Sequence, residues 1–219
     1  MVCRRAFNRL YRVYVLRHIA RPSEARFLGR RFVTHPDVFH PVYFLSTRIL
    51  ARHVEAMDLA GKRFLDMGTG SGALGIVASS RGAEVTACDI NPKAVETARE
   101  NARRNGARME VLQSDLFSAV EGRTFDVVCF NIPFYPKEPS TDLERAFYAG
   151  RDFATVRAFA SGCASVVAEG GTAVVIFSED SNYERIVSFF AGAGLSVRRS
   201  SVTQKFFERF HVVAFDRRH

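Results

Sequence analysis

The chain has 219 residues, 47% apolar and 25% charged, enough to close one substantial core and short for two. No run approaches the roughly 18–20 apolar residues of a membrane span, and the arginine-interrupted start lacks the apolar stretch of a secretory signal, so a cytoplasmic protein without a membrane partner is expected. The net charge of +8 sits at one end: residues 1–34 hold Arg4, Arg5, Arg9, Arg12, Arg17, Arg21, Arg26, Arg30 and Arg31 against Glu24, and the remaining charges cancel.

Phe7, Leu10, Tyr11, Tyr14 and Leu16 recur among the first arginines, a spacing that fits a short amphipathic helix or a strand over 11–16. Residues 30–33 read as extended, and the prolines of Thr34-His35-Pro36-Asp37-Val38-Phe39-His40-Pro41 make a rigid connection. Ser46 or Thr47 is placed to start a helix with Ile49, Leu50, Val54 and Met57 on one side. These features divide the chain into a basic arm with its leading segment, residues 1–44, and a main domain, 45–219.

From Lys62 onward strands and helices alternate. Strands are expected at 63–67, 84–88, 109–112, 125–130 and 172–177, followed by 195–202 and 210–215. Helices are expected around 74–79, after Asn91 as cap with Pro92 in the first position, through Phe153, Val156, Ala160 and Val167, and over 183–190. Asn105-Gly106 marks the end of the second of these. The pattern predicts an α/β fold: a Rossmann-like, seven-stranded, mainly parallel sheet with helices on both faces, the last strand being a candidate for antiparallel pairing.

Cys88 and Cys129 fall in strands, Cys163 in a helix and Cys3 apart, with neither metal-ligand spacing nor a disulfide framework. Cys129, two residues before Asn131, is the cysteine nearest a candidate site.

Three strand ends carry the first half of that site. Asp66-Met67-Gly68-Thr69-Gly70-Ser71-Gly72 is a small-residue turn between strand and helix, able to bring backbone close to a ligand; dinucleotide-binding proteins use a related turn. Asp89, ending the next strand, can accept hydrogen bonds from both ribose hydroxyls or can cap the following helix. Asp115, after the third strand, can accept from an adenine amine or close a turn. Repetition at successive strand ends points to a nucleoside pocket, with a nicotinamide dinucleotide and redox chemistry as one alternative.

The second half is Asn131-Ile132-Pro133-Phe134. The Asn131 side-chain oxygen and the Ile132 carbonyl can accept both protons of a planar amino group, and Phe134 can stack on its plane. Such a clamp works by positioning, without a protein nucleophile or a metal. The bland alternative is an asparagine-proline turn with Phe134 in the core.

Over roughly residues 36–215 the chain resembles class I S-adenosylmethionine-dependent methyltransferases, on the glycine turn, Asp89-Ile90-Asn91-Pro92, Ser114-Asp115-Leu116 and Asn131-Ile132-Pro133-Phe134. The resemblance implies S-adenosyl-L-methionine as cofactor, held by Asp66, Gly68, Thr69, Gly70, Gly72, Asp89, Ile90, Asn91, Asp115, Leu116 and Asn131, with transfer served by Asn131, Ile132, Pro133 and Phe134. The last motif is similar to the Asn-Pro-Pro-Tyr/Phe motif of amino and amide methyltransferases, including release-factor glutamine methyltransferases of the HemK type and small-domain RNA guanine-N2 methyltransferases. Ile132 replaces the usual first proline. Val38-Phe39-His40-Pro41 and the stretch from Glu144 to Asp152 resemble the HemK-like branch, whereas residues 43–50 are closer to the RNA-modifying relatives.

The expected reaction is N-methylation of a planar amide or amino nitrogen. Arginines with Phe7, Tyr11 and Tyr14 suit contact with RNA or a ribonucleoprotein; an acidic protein substrate suits the charge equally, and a small-molecule acceptor stays open. A catalytically silent RNA-binding protein is a further alternative. The sequence leaves the oligomeric state open.

Overall fold

In a computed structural model, residues 20–205 and 208–217 are described; the possible element at 11–16 and Cys3 lie outside them. A hairpin of β1 (Ser23–Phe27) and β2 (Arg30–Thr34) comes first, followed by α1 (Leu45–Glu55). Then follow β3 (Arg63–Met67), α2 (Ala73–Ser80), β4 (Glu84–Asp89), α3 (Pro92–Arg104), β5 (Met109–Gln113) and β6 (Phe125–Asn131). The chain continues through α4 (Asp142–Arg145), α5 (Ala154–Val166), β7 (Val167–Ser178), α6 (Tyr183–Gly192), β8 (Leu195–Lys205) and β9 (Glu208–Arg217).

The main sheet has seven strands in the order β5-β4-β3-β6-β7-β9-β8. All pairs from β5 to β7 are parallel, and β9 runs antiparallel to both β7 and β8. The expected fold class is the observed one. Burial on both faces explains why β6 reads as the unbroken apolar run Val127-Val128-Cys129-Phe130. One face packs Phe64, Val127, Val174 and Ile176 under α1 and α2 through Leu50, Val54 and Ile76, and α3 extends that layer with Val95 and Ala98. The opposite face packs Leu65, Val128, Val175 and Phe177 under α5 and α6 through Phe159 and Phe190. Strand order reverses between β3 and β6, opening a crevice at their carboxyl ends, the usual ligand position in such sheets.

Several boundaries differ from the sequence reading, most by strands running longer than expected: β7 begins at Val167, β8 ends at Lys205 and β9 spans Glu208–Arg217. α1 starts at Leu45, with Phe44 as a cap residue making no side-chain hydrogen bond, and Ser46 and Thr47 are buried inside its first turn. Val167 opens β7 instead of closing α5: the chain passes from helix to strand with no glycine or proline at the junction to signal it. The β1–β2 hairpin also lacks an overt turn signal, since Leu28 and Gly29 make its two-residue turn at φ of 46° and 78° and leucine seldom fills such a position.

That hairpin is docked on the main domain. Asn101 of α3 clasps Val33, accepting from its N–H at 2.7 Å and donating to its carbonyl at 3.0 Å, and Asn105 does the same for Arg31 at 3.2 and 2.8 Å. Arg30 donates to Ser80 at 2.7 Å, and Arg104 pairs with Glu24 at 2.7 Å. Among the described residues no helix is long and apolar enough to cross a membrane.

Candidate active site

The glycine turn is built from behind by Asp66. This carboxylate is fully buried on β3, where its Oδ2 accepts from the Thr69 hydroxyl at 2.6 Å and from the Gly75 N–H at 2.9 Å. Its Oδ1 is buried with no partner among the described residues. Burial raises its pKa to about 7, against the lowering effect of those two hydrogen bonds. Gly68 has φ 60° and Gly70 φ 55°, conformations that side-chain-bearing residues seldom adopt. A Cβ on Gly68 would also stand 2.4 Å from the Phe130 ring.

Asp89 joins this turn to β4. Its Oδ2 accepts from the Gly70 N–H at 2.8 Å and its Oδ1 from the Asn91 N–H at 2.9 Å. Burial pushes its pKa up, while backbone hydrogen bonds from Asn91, Gly70 and Ile90 work the other way. Helix capping falls to Asn91: its Oδ1 accepts from Lys93 N–H at 2.8 Å, and its amide nitrogen donates to the Asp37 carbonyl at 2.8 Å, tying the leading segment to the site. The Asp115 carboxylate is exposed and makes no hydrogen bond or ion pair with the described residues.

These groups surround a cavity of about 410 Å³, within the usual size of a small-molecule site. Of the residues expected from sequence, Gly68, Thr69, Gly70, Asp89, Ile90, Asn91, Asp115, Leu116, Asn131 and Pro133 line it. Asp66, Gly72, Ile132 and Phe134 do not. Asp66 lies behind the turn; Gly72, at φ 84°, meets Ala98 of α3; and Ile132 turns its side chain into the core. Phe134 packs against both core clusters and tilts on Tyr135 at 4.8 Å, so its ring is not in the cavity wall; Phe39 and Tyr148 supply aromatic lining there.

At the end of β6 the half-buried Asn131 donates from Nδ2 to Thr47 Oγ1 at 3.2 Å, and its Oδ1 makes no hydrogen bond with the described residues. The Ile132 carbonyl, one residue past the strand, takes no turn or loop hydrogen bond from the described residues. Two oxygen acceptors on consecutive residues are thus unengaged among the described residues. Cys129 points the other way, into the core beside α1, with its thiol pKa raised by burial.

Two segments complete the walls. Asp37, Phe39, Pro41 and Thr47 come from the leading segment and α1; Asp142, Arg145 and Tyr148 come from the stretch after the amide motif. Phe39 stacks on Phe44 at 4.2 Å and meets Phe147 at 5.1 Å, joining the two segments. His40 is buried, accepts from the Val42 N–H at 3.2 Å and stays neutral at physiological pH, burial having lowered its pKa to about 4. Sequence resemblance marked both segments; single residues such as Thr47, Asp142 and Arg145 carried no signal, because only folding brings them to the cavity.

Residues 29–206 match the methyltransferase small domain family, to which the chain belongs. It is an S-adenosylmethionine-dependent methyltransferase, which overturns the dinucleotide-redox alternative: the glycine turn belongs to a methyl-transfer fold. The chain is 28% identical over 191 residues to a putative protein N5-glutamine methyltransferase of Methanocaldococcus jannaschii, covering 84% of this chain and 94% of that one. It is 38% identical over 110 residues to the ribosomal RNA small subunit methyltransferase C of Chromohalobacter salexigens, covering 49% of this chain and 33% of that one. In fold it is similar to a chain from the E. cuniculi Mtq2–Trm112 complex, described as responsible for methylation of the eRF1 termination factor, with a TM-score of 0.66, 19% identity, and coverage of 83% and 99%.

The residues present fit the cofactor. A positively charged sulfonium and ammonium suit a cavity with Asp89 and Asp115 in its walls, where Asp142 is already paired with Arg145 at 3.5 Å, and Asp66 Oδ1, without a partner among the described residues, is a buried acceptor beneath the turn.

Proposed function

We propose that this S-adenosylmethionine-dependent N-methyltransferase acts on the carboxamide nitrogen of a glutamine-type side chain in a protein. The observation that carries the reading is the adjacent pair of unengaged oxygens, Asn131 Oδ1 and the Ile132 carbonyl, at the end of β6. The match over nearly the whole length of the putative glutamine methyltransferase supports the acceptor class.

S-adenosylmethionine supplies an electrophilic methyl group on positively charged sulfur. In this reading Gly68, Thr69 and Gly70 approach the amino-acid portion, Asp89 accepts from the ribose hydroxyls with its remaining lone pairs, and Asp115, Ile90 and Leu116 flank the base. Asn131 and Ile132 accept the two N–H protons of the acceptor, which fixes its plane and draws electron density onto nitrogen. Pro133 closes the clamp, and Phe134 supports it from behind. Transfer would form the nitrogen–methyl bond as the sulfonium sulfur–methyl bond breaks, the bonding pair staying on sulfur in S-adenosylhomocysteine, and one nitrogen-bound proton would pass to water. Positioning of this kind contributes up to roughly 7–11 kcal/mol to lowering a barrier. Residues 1–44 serve as a basic arm and leading segment for the methyltransferase domain, 45–219, and a cytoplasmic location belongs to the same proposal.

The similarity to the ribosomal RNA enzyme and the nine arginines before residue 35 favour a second reading, in which a base amine in RNA presents the same two protons. Methyl-labelled donor, offered with glutamine-containing polypeptides, guanosine-containing RNA and small amines, separates the readings. Label recovered as N5-methylglutamine is the expected result. Label in RNA selects the second reading, and no transfer to any acceptor by folded, donor-binding protein contradicts both.

A further inference from the structure

The amide of Asn131 has chemically opposite ends, so it serves an N–H acceptor only when its oxygen faces the cavity. A carboxamide turned end for end would offer its own N–H protons to those of the substrate. The one side-chain hydrogen bond this amide makes with the described residues is to Thr47, 84 positions earlier in the chain: Nδ2 donates to Oγ1 at 3.2 Å, leaving Oδ1 unengaged. Thr47 is 5% exposed, lines the cavity and sits in the first turn of α1, seated by the buried Leu50, Ala51 and Val54. Its β-branched side chain is limited to few rotamers, and burial in the first turn of the helix restricts it further. Ser46 and Thr47 are the residues expected to cap this helix; Thr47 is turned instead toward the end of β6.

We infer that Thr47 is a positioning residue for methyl transfer, holding the Asn131 carboxamide at the cavity wall; a hydroxyl accepts as well as donates, and in the observed geometry it accepts, which leaves Oδ1 for the acceptor nitrogen. This rests on the reading of Asn131 as the acceptor clamp and adds the element that sets it: α1 registers the clamp against β6.

The test is Thr47→Val, which keeps the shape and removes the hydroxyl, alongside Thr47→Ser and Asn131→Ala in the full-length protein. The inference expects kcat to fall about 10- to 100-fold in Thr47→Val, the scale of a lost hydrogen bond combined with misplacement of reacting groups. S-adenosylhomocysteine affinity and the KM for the donor stay at wild-type values, and Thr47→Ser recovers most of kcat. Combining Thr47→Val with Asn131→Ala adds little to the loss from Asn131→Ala alone, because the hydroxyl acts through the amide. If Thr47→Val does not fold, Thr47→Ala carries the same expectation. Wild-type kcat in a Thr47 variant while Asn131→Ala is inactive overturns the role of Thr47 and leaves the clamp standing. Parallel loss of kcat and S-adenosylhomocysteine affinity overturns it in favour of a donor-binding role. Undiminished turnover in Asn131→Ala overturns the clamp and the inference together.

Discussion

Gly68 shows how much of the site depends on a missing side chain. Its φ of 60° is costly for any other residue, and a Cβ there would press on Phe130, itself packed edge-on against Phe159 at 4.9 Å. Gly68→Ala is expected to lose about 2–4 kcal/mol of stability from backbone strain and overpacking, and to weaken S-adenosylhomocysteine binding, as denaturant melts and calorimetry on the same variant will read. Asp66 supplies a pH dependence. Its pKa rises from the ordinary 3.8 to about 7 on folding, so the folded chain holds this proton more tightly than the unfolded one. Its stability contribution is therefore complete below the unfolded value and lost as the pH climbs through about 7. Melting temperatures of wild type and Asp66→Asn, without ligand, should shift relative to one another in the variant's favour between pH 5 and pH 7.5. A constant difference contradicts the raised value. The glycines, Asp89 and Asn131 were legible because each stands at a strand end within a local pattern. Thr47 and Arg145 were not, since nothing in the neighbouring sequence separates a hydroxyl or guanidinium that lines a cavity from one that faces water.

At the scale of elements, α1 links the core to Asn131 through Thr47. Leu50 is fully buried against α2 and the sheet, so Leu50→Ala should cost about 2–5 kcal/mol, measured by urea unfolding; a loss below 1 kcal/mol would mean that the helix is seated by something else. The parallel strands announced themselves through apolar runs, and α3 through Asn91-Pro92, where the cap hydrogen bond to Lys93 is present. Boundaries failed where residues serve tertiary partners. Ser46 and Thr47 look like caps yet are buried in the first turn of α1, Val167 continues an apolar helical spacing yet starts β7, and the β1–β2 turn uses Leu28, a residue without a turn preference. Each is a case of long-range packing or register overriding local propensity.

For the molecule as a whole, charge is segregated from chemistry. The arginines concentrate before residue 35, and Arg30 of the hairpin already donates from its guanidinium to the Leu28 carbonyl and to Ser80 of α2, so in the proposed reading encounter with an acidic partner falls to the other arginines. Replacing Arg4, Arg5, Arg9, Arg12 and Arg17 by Gln should raise the acceptor KM about tenfold at low salt and leave kcat and donor affinity unchanged, with the difference shrinking at high ionic strength. An unaltered acceptor KM would remove the arm from substrate encounter. The fold was legible at this scale because alternating strands and helices admit few topologies, whereas the arm's charge left acidic protein and RNA equally open.

In the proposed mechanism a donor site and an acceptor clamp share the crevice between β3 and β6. A crystal structure with S-adenosylhomocysteine tests this most directly. The expected result has the ribose on Asp89 and the thioether sulfur facing the Asn131 carboxamide oxygen, with room between them for a methyl group and an acceptor nitrogen at roughly 3–3.5 Å approach. A sulfur directed away from residue 131, or a carboxamide turned out of the cavity, would contradict it.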